Sequence, residues 1–317
     1  MPSCQPTLIE TRAEYRTLTR LGRAPWVWWH LLSLDAPTVA ILWCWFFAAV
    51  FGLNFSWVAL PTLALGTWCV YVADRLLDGW GPTETSDLRD RHWFYLRHRK
   101  PFTIAWLLAA IPLAYLVLHC AQRSVRTDDF FLGLIGVVYF LLIHGPHSDA
   151  RHSGYARWFP KELAVGFLFA IATAIPTWAR LAEHRSILTA SVFTFGAACW
   201  LNCVAIQVWE DAEDSQEITH TILAGHARSK EKARSRGLTE FLGEHLTGFA
   251  GSVGLLSFIF ALDTAQTDLW PLFAAVTASA LLFLVLIRNS HRFSVLSLRI
   301  AADAALLTPL LFLLRVR

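Results

Sequence analysis

The sequence predicts an all-α polytopic membrane protein. Hydrophobic residues make up 55% of the 317 residues and charged residues only 16%, against about 25% charged in soluble domains. Mean hydropathy is +0.44 and there are 15 Trp, more apolar surface than a water-soluble chain of this size can hide. The apolar residues are also gathered into runs near the length that crosses a bilayer, about 20 residues each. Disorder, a collagen-like repeat and a disulfide scaffold are excluded, since the six Cys are scattered and lie mostly inside apolar runs. The net charge of +3 is small, and no nucleic-acid partner is expected.

The first 30 residues are polar, with Glu10, Glu14 and four Arg. A secretory signal peptide would place an apolar stretch directly after a basic start, so residues 1–30 are expected to be a cytoplasmic segment and the first span to stay as an anchor. Nine spans follow in one transmembrane domain over 31–314, at 31–53, 57–77, 102–120, 129–145, 162–179, 187–209, 246–263, 269–287 and 294–314. The fourth and fifth are short. Positive charge sets orientation. The N-terminus and the connections after spans two, four, six and eight carry 20 Lys and Arg, counting Arg75 at the end of span two; the opposite set carries six. The N-terminus is therefore expected in the cytoplasm and the C-terminus outside, with Arg315 and Arg317 against the rule. If the source is bacterial, the membrane is the plasma or inner membrane. Two cytoplasmic connections are long, about 78–101 and 210–245, and long loops on one face are where chemistry is expected.

Both long loops begin beside acidic residues. The second span ends CVYVADRLLDGW, and the sixth ends NCVAIQVWEDAEDSQE. Asp74 and Asp78 are four apart, so on a helix they share a face with Cβ atoms about 6 Å apart. Glu210 and Asp214 repeat the spacing, with Asp211 and Glu213 beside them, and Asn202 and Gln207 lie further up the same helix. Solvated acids at helix ends are the plain reading of either cluster alone. Two clusters at one membrane depth would repel each other without a cation between them. Hard oxygen ligands at this density suit Mg2+, which takes one or two carboxylates and completes its shell with water and phosphate oxygens.

Cations surround these clusters. Arg89, Arg91, Arg97, Arg99 and Lys100 follow the second span; Lys161 opens the fifth in FPKELAVG; Arg228, Lys230, Lys232, Arg234 and Arg236 follow the sixth. Positive-inside bias and attraction to anionic lipid account for most of them. Carboxylates, magnesium and a few Arg or Lys in one place also make a diphosphate site.

At these residues the chain resembles the UbiA-type intramembrane prenyltransferase superfamily. That family has nine transmembrane helices with the N-terminus inside, an Asp-rich motif closing helix two and another closing helix six. Its basic segment ending in Arg-Pro is matched loosely by RHRKP, its Lys-bearing opening of helix five by FPKELAVGFLFAIATAIP, and its Thr-containing stretch after the second motif by TILAG at 221–225. The likeness in architecture covers nearly the whole chain and the specific motifs about sixty residues. The chain departs where the family's first motif begins Asn-Asp, since Val70 and Tyr71 stand there, and its second-motif anchors read Asn202, Glu210 or Asp211, and Asp214.

The resemblance implies transfer of an isoprenyl group from an isoprenyl diphosphate to an acceptor in the membrane, with release of pyrophosphate. Two Mg2+ ions would be held by Asp74 and Asp78 on one side and Glu210, Asp211 and Asp214 on the other. Lys161, Arg97, Arg99 and Asn202 would bind the diphosphate, and Tyr139, Phe140, Phe167 and Phe169 would wall the apolar chain, though ordinary packing also explains these four aromatics. The acceptor is left open among an aromatic ring, a quinone precursor, a porphyrin and a lipid alcohol. Two other functions compete: a transporter or channel, which calls for polar or broken helices at the midplane, and a family-like membrane protein that binds a lipid diphosphate without turning it over.

Other features have simpler explanations. His144, His147 and His152 in HGPHSDARH read as protonatable loop residues rather than a metal motif, and His144 is within reach of the site from the end of its span. Cys199 and Cys203, one turn apart, read as small residues at a helix contact. Arg299 and Asp303, four apart within the last span, are expected to neutralise each other. Helical patterns in 83–100 and 228–245 suggest a lid that keeps water from a carbocation.

Overall fold

A computed structural model describes residues 24–54, 57–78, 94–95, 97–121, 125–127, 133, 161–223 and 236–315. Among the described residues every regular element is helical. The elements are α1 (Pro25–Leu31), α2 (Asp35–Val50), α3 (Ala59–Asp78), α4 (Arg99–Tyr115, continued by a π turn over Leu116–Cys120), α5 (Lys161–Trp178), α6 (Arg185–Leu223), α7 (Arg236–Asp263), α8 (Trp270–Asn289) and α9 (Val295–Ala304). A 3-10 turn over Thr308–Phe312 follows α9.

Among the described residues, five helical stretches are long and apolar enough to cross a membrane: Arg99–Cys120, Arg185–Glu213, Gly243–Asp263, Trp270–Arg292 and Val295–Phe312. The pair α1 and α2 makes a sixth if it is one span, bent by 91°. Two of the nine expected spans fall short for physical reasons. α3 has 20 residues, but Pro61, Thr62, Thr67, Asp74, Arg75 and Asp78 dilute its apolar content. The apolar part of α5, Glu162–Trp178, is a shorter helix. The fourth expected span, 129–145, lies outside the described residues apart from Gly133. The expected cytoplasmic connection 210–245 contains helix at both ends, since α6 runs on to Leu223 and α7 starts at Arg236.

The core sits around α2. Trp43, Phe46 and Phe47 are fully buried. Trp43 stacks on Phe195 of α6 with centroids 3.9 Å apart, and its indole N–H donates to the Leu306 carbonyl at 2.8 Å. One side chain therefore joins α2, α6 and the C-terminal segment, with its polar atom satisfied as a buried indole requires. α5 packs on α6 at small residues, as helices do in lipid. A methyl group at Gly166 would lie 2.5 Å from the Trp200 backbone nitrogen, so only glycine lets the two backbones come this close. α4 lies at the edge and exposes Ile104, Leu107, Leu108, Ile111 and Leu118. Their three- and four-residue spacing makes one apolar stripe suited to lipid.

Candidate functional site

The site begins at the break between α1 and α2. Ser33 takes a left-handed φ of 55° and turns the end of α1 back onto the start of α2. Asp35, the first residue of α2, accepts the Ala36 N–H on Oδ1 at 2.9 Å, where a helix N-terminus favours an anion. Its Oδ2 is hydrogen-bonded to His30 Nδ1 at 2.7 Å. The His30 carbonyl accepts from the Arg75 guanidinium at 3.2 Å, a cation at the C-terminus of α1. Arg75 lies over the Tyr95 ring, 5.5 Å from its centroid, and the Tyr95 hydroxyl is 2.6 Å from Ser33 Oγ. The Trp68 indole donates to the Leu32 carbonyl at 3.0 Å. The break is thus held by α3 and by Tyr95, and side chains of α3 donate to its His30 and Leu32 carbonyls.

α9 and α6 complete the assembly. Asp303 Oδ2 lies 3.7 Å from His30 Nδ1, and Asp303 Oδ1 accepts from the Asn202 amide at 3.0 Å. Arg299, one turn earlier on α9, forms an ion pair with Glu210, two turns beyond Asn202 on α6. His30, Asp35, Arg75, Glu210 and Arg299 are all buried, and the Asp303 side chain is 16% exposed. The expected neutralisation of Arg299 by Asp303 therefore does not occur. Each has a partner on another element: Arg299 meets Glu210 of α6, and Asp303 meets Asn202 of α6 and lies beside His30 of α1. A cavity of about 30 Å³ opens beside this assembly, lined among others by Tyr71 of α3, Phe169 of α5, Cys199, Asn202 and Cys203 of α6, and Asp303 of α9.

The residues singled out by sequence are spread over this region. Asp74 is half-buried, three residues beyond Tyr71 in the last turns of α3. Asp211 is half-buried and accepts from the Gln207 amide at 2.9 Å. Asn202 is buried and belongs to the cavity. Arg97 is exposed and Arg99 half-buried at the start of α4. Lys161, Asp78 and Asp214 have helical backbones, with their side chains outside the described residues. Tyr139, Phe140, His144, His147 and His152 lie outside them too. Phe167 is the residue that a Cβ at Gly196 would strike, at 2.8 Å. Cys199 and Cys203 line the cavity.

Sequence reasoning missed His30, Asp35 and Arg75. His30 fell in the segment read as cytoplasmic, and Asp35 in the opening of a span. The available signal was an aspartate and a histidine five residues apart at the head of an apolar run, which by default marks function in a membrane segment. Comparison of the chain with protein-family models, with curated proteins and with solved structures finds no match.

Proposed function

We propose that this chain is a magnesium-dependent prenyltransferase of the UbiA type, with nine spans, that moves an isoprenyl group from its diphosphate to an acceptor within the membrane. One observation carries the reading: α3 and α6, the two helices that carry the acidic clusters, both line one cavity, through Tyr71, Asn202 and Cys203. Asp74 lies one turn beyond the cavity on α3, and Glu210 and Asp211 lie two turns beyond it on α6. The donor set fits magnesium, being carboxylate oxygen. Of the two α6 anchors, Asp211 suits the role better, because Glu210 is buried against Arg299. Asp74, Asp78, Asp211 and Asp214 would hold the metal, which polarises the diphosphate as a Lewis acid.

The chain's own residues do the rest. Lys161, Arg97 and Arg99 supply positive charge to the outer diphosphate oxygens. Fixed charge at the leaving group lowers the barrier most, because it needs no rearrangement as the C1–O bond breaks and the electron pair departs with pyrophosphate. The allylic cation is stabilised over aromatic faces, for which Phe169 stands at the cavity wall. The acceptor's electron pair then bonds to C1, and the acceptor loses a proton.

The bent pair α1 and α2, with ionisable groups at the break, supports a transporter as the second reading. Magnesium-dependent release of pyrophosphate, measured over a panel of isoprenyl diphosphates, separates the two. Release is expected from wild type and none from Asp78→Asn. Full activity in Asp78→Asn removes the metal assignment, and solute flux in proteoliposomes without pyrophosphate release favours transport.

A further inference from the structure

We propose that His30, Asp35, Asp303 and Asn202 form a binding site for one divalent first-row transition ion, of which Zn2+ is the natural occupant. The proposal stands apart from prenyl transfer and uses none of the residues that would grip a diphosphate other than Asn202.

Geometry is the first support. His30 Nδ1 lies 2.7 Å from Asp35 Oδ2 and 3.7 Å from Asp303 Oδ2. One ligating atom from each of the three residues falls within 4.8 Å of the others. Ligands about 2.0 Å from a tetrahedral zinc sit about 3.3 Å from one another, a value between the two measured separations. The three residues come from the end of α1, the start of α2 and the end of α9, so the fold, not one stretch of sequence, assembles the set.

Charge and unmet acceptors are the second support. With His30 neutral, the cluster has two carboxylates against one guanidinium, that of Arg75, because Arg299 is taken by Glu210. A proton on His30 would balance that count. It would not satisfy Asn202 Oδ1, an acceptor with no partner in a side chain nine-tenths buried, whose amide nitrogen donates to Asp303. A buried acceptor without a donor therefore lies in the side chain that meets Asp303, and a cation would resolve it. The neighbouring cavity of about 30 Å³ has room for a water to complete the shell. One imidazole nitrogen with three oxygens selects against Mg2+ and Ca2+, which prefer oxygen throughout, and suits Zn2+, with Mn2+ as a spectroscopic substitute.

The test uses the full chain in detergent, stripped with chelator and dialysed against limiting Zn2+, with metal read by mass spectrometry and folding by tryptophan-monitored melting. Wild type is expected to hold about one zinc per chain, and Asp35→Asn and Asp303→Asn at least roughly tenfold less at the same free zinc. Asp74→Asn, outside the cluster, is expected to hold as much as wild type whether or not it retains transferase activity. If the carboxamide variants melt below the working temperature, His30→Gln replaces them, and Mn2+ paramagnetic resonance of wild type should show a nitrogen-bearing site that this variant lacks. A wild-type chain that binds no zinc, or zinc undiminished in Asp303→Asn, overturns the proposal and leaves a triad neutralised by an imidazolium.

Discussion

Glu210 and Arg299 show how the role of a residue depends on what faces it. Sequence places Glu210 among magnesium ligands; the fold buries it against Arg299. A pair taken this far from water holds only while both partners remain, and loss of one strands the other. Arg299→Ala or Glu210→Ala should therefore cost about 3–5 kcal/mol of stability, whereas Arg299→Met with Glu210→Leu should restore most of it. Thermal melting of the three variants in detergent checks this; equal loss in the single and double variants would show that the pair is not the source. Lys161 tests the diphosphate reading separately from metal. As a snorkelling anchor its removal would be nearly silent. In contact with a diphosphate oxygen, Lys161→Ala should lower kcat/KM by about 30- to 150-fold, the loss of about 2–3 kcal/mol from one charge-assisted contact. Lys161→Arg would rescue only in part, since a planar fork places its charge differently. Inhibition by inorganic pyrophosphate at saturating magnesium should weaken in the same variant, and an unchanged inhibition constant returns Lys161 to the anchor role.

Pairs of helices decide how closely these side chains can meet. α5 and α6 touch at Gly166, where an added Cβ would run into the Trp200 backbone at 2.5 Å. Backbone cannot rotate away as a flexible side chain can. Gly166→Val should destabilise by about 1–3 kcal/mol through overpacking and widen the cavity that Gly166 lines with Asn202 and Asp303. A melting temperature equal to wild type would mean that α5 and α6 are not held in close contact. Helix positions were legible from hydropathy because a run of apolar residues in lipid has few alternatives to helix. The break at Ser33 was not legible. His30 through Asp35 reads HLLSLD, without the Gly or Pro that usually marks such a turn. The left-handed Ser33 is kept by partners distant in sequence, Tyr95 on its hydroxyl and Arg75 on the His30 carbonyl.

For the whole molecule, the basic residues make a prediction independent of the site. Twenty Lys and Arg against six predict an N-terminus in the cytoplasm and a C-terminus outside. Reporter fusions after Arg23 and at Arg317 should report opposite sides; the same side would rule out nine spans. Membrane class, the helical character of the described residues and the two acidic clusters were legible in sequence alone, although the second cluster lies within α6, which runs on to Leu223. Composition and hydropathy report local transfer from water, a property that each segment carries by itself. Tertiary structure alone decided which charges meet. It joined Glu210 to Arg299 rather than Arg299 to Asp303, drew Asp303 and Asn202 to His30, and placed Tyr71 of α3 at the cavity that α6 shares. Those partners lie as many as 273 positions apart in sequence, as His30 and Asp303 do. In a low-dielectric interior a buried charge is stabilised by whatever opposite charge or dipole the packing brings within a few ångströms, and linear spacing carries no record of that distance.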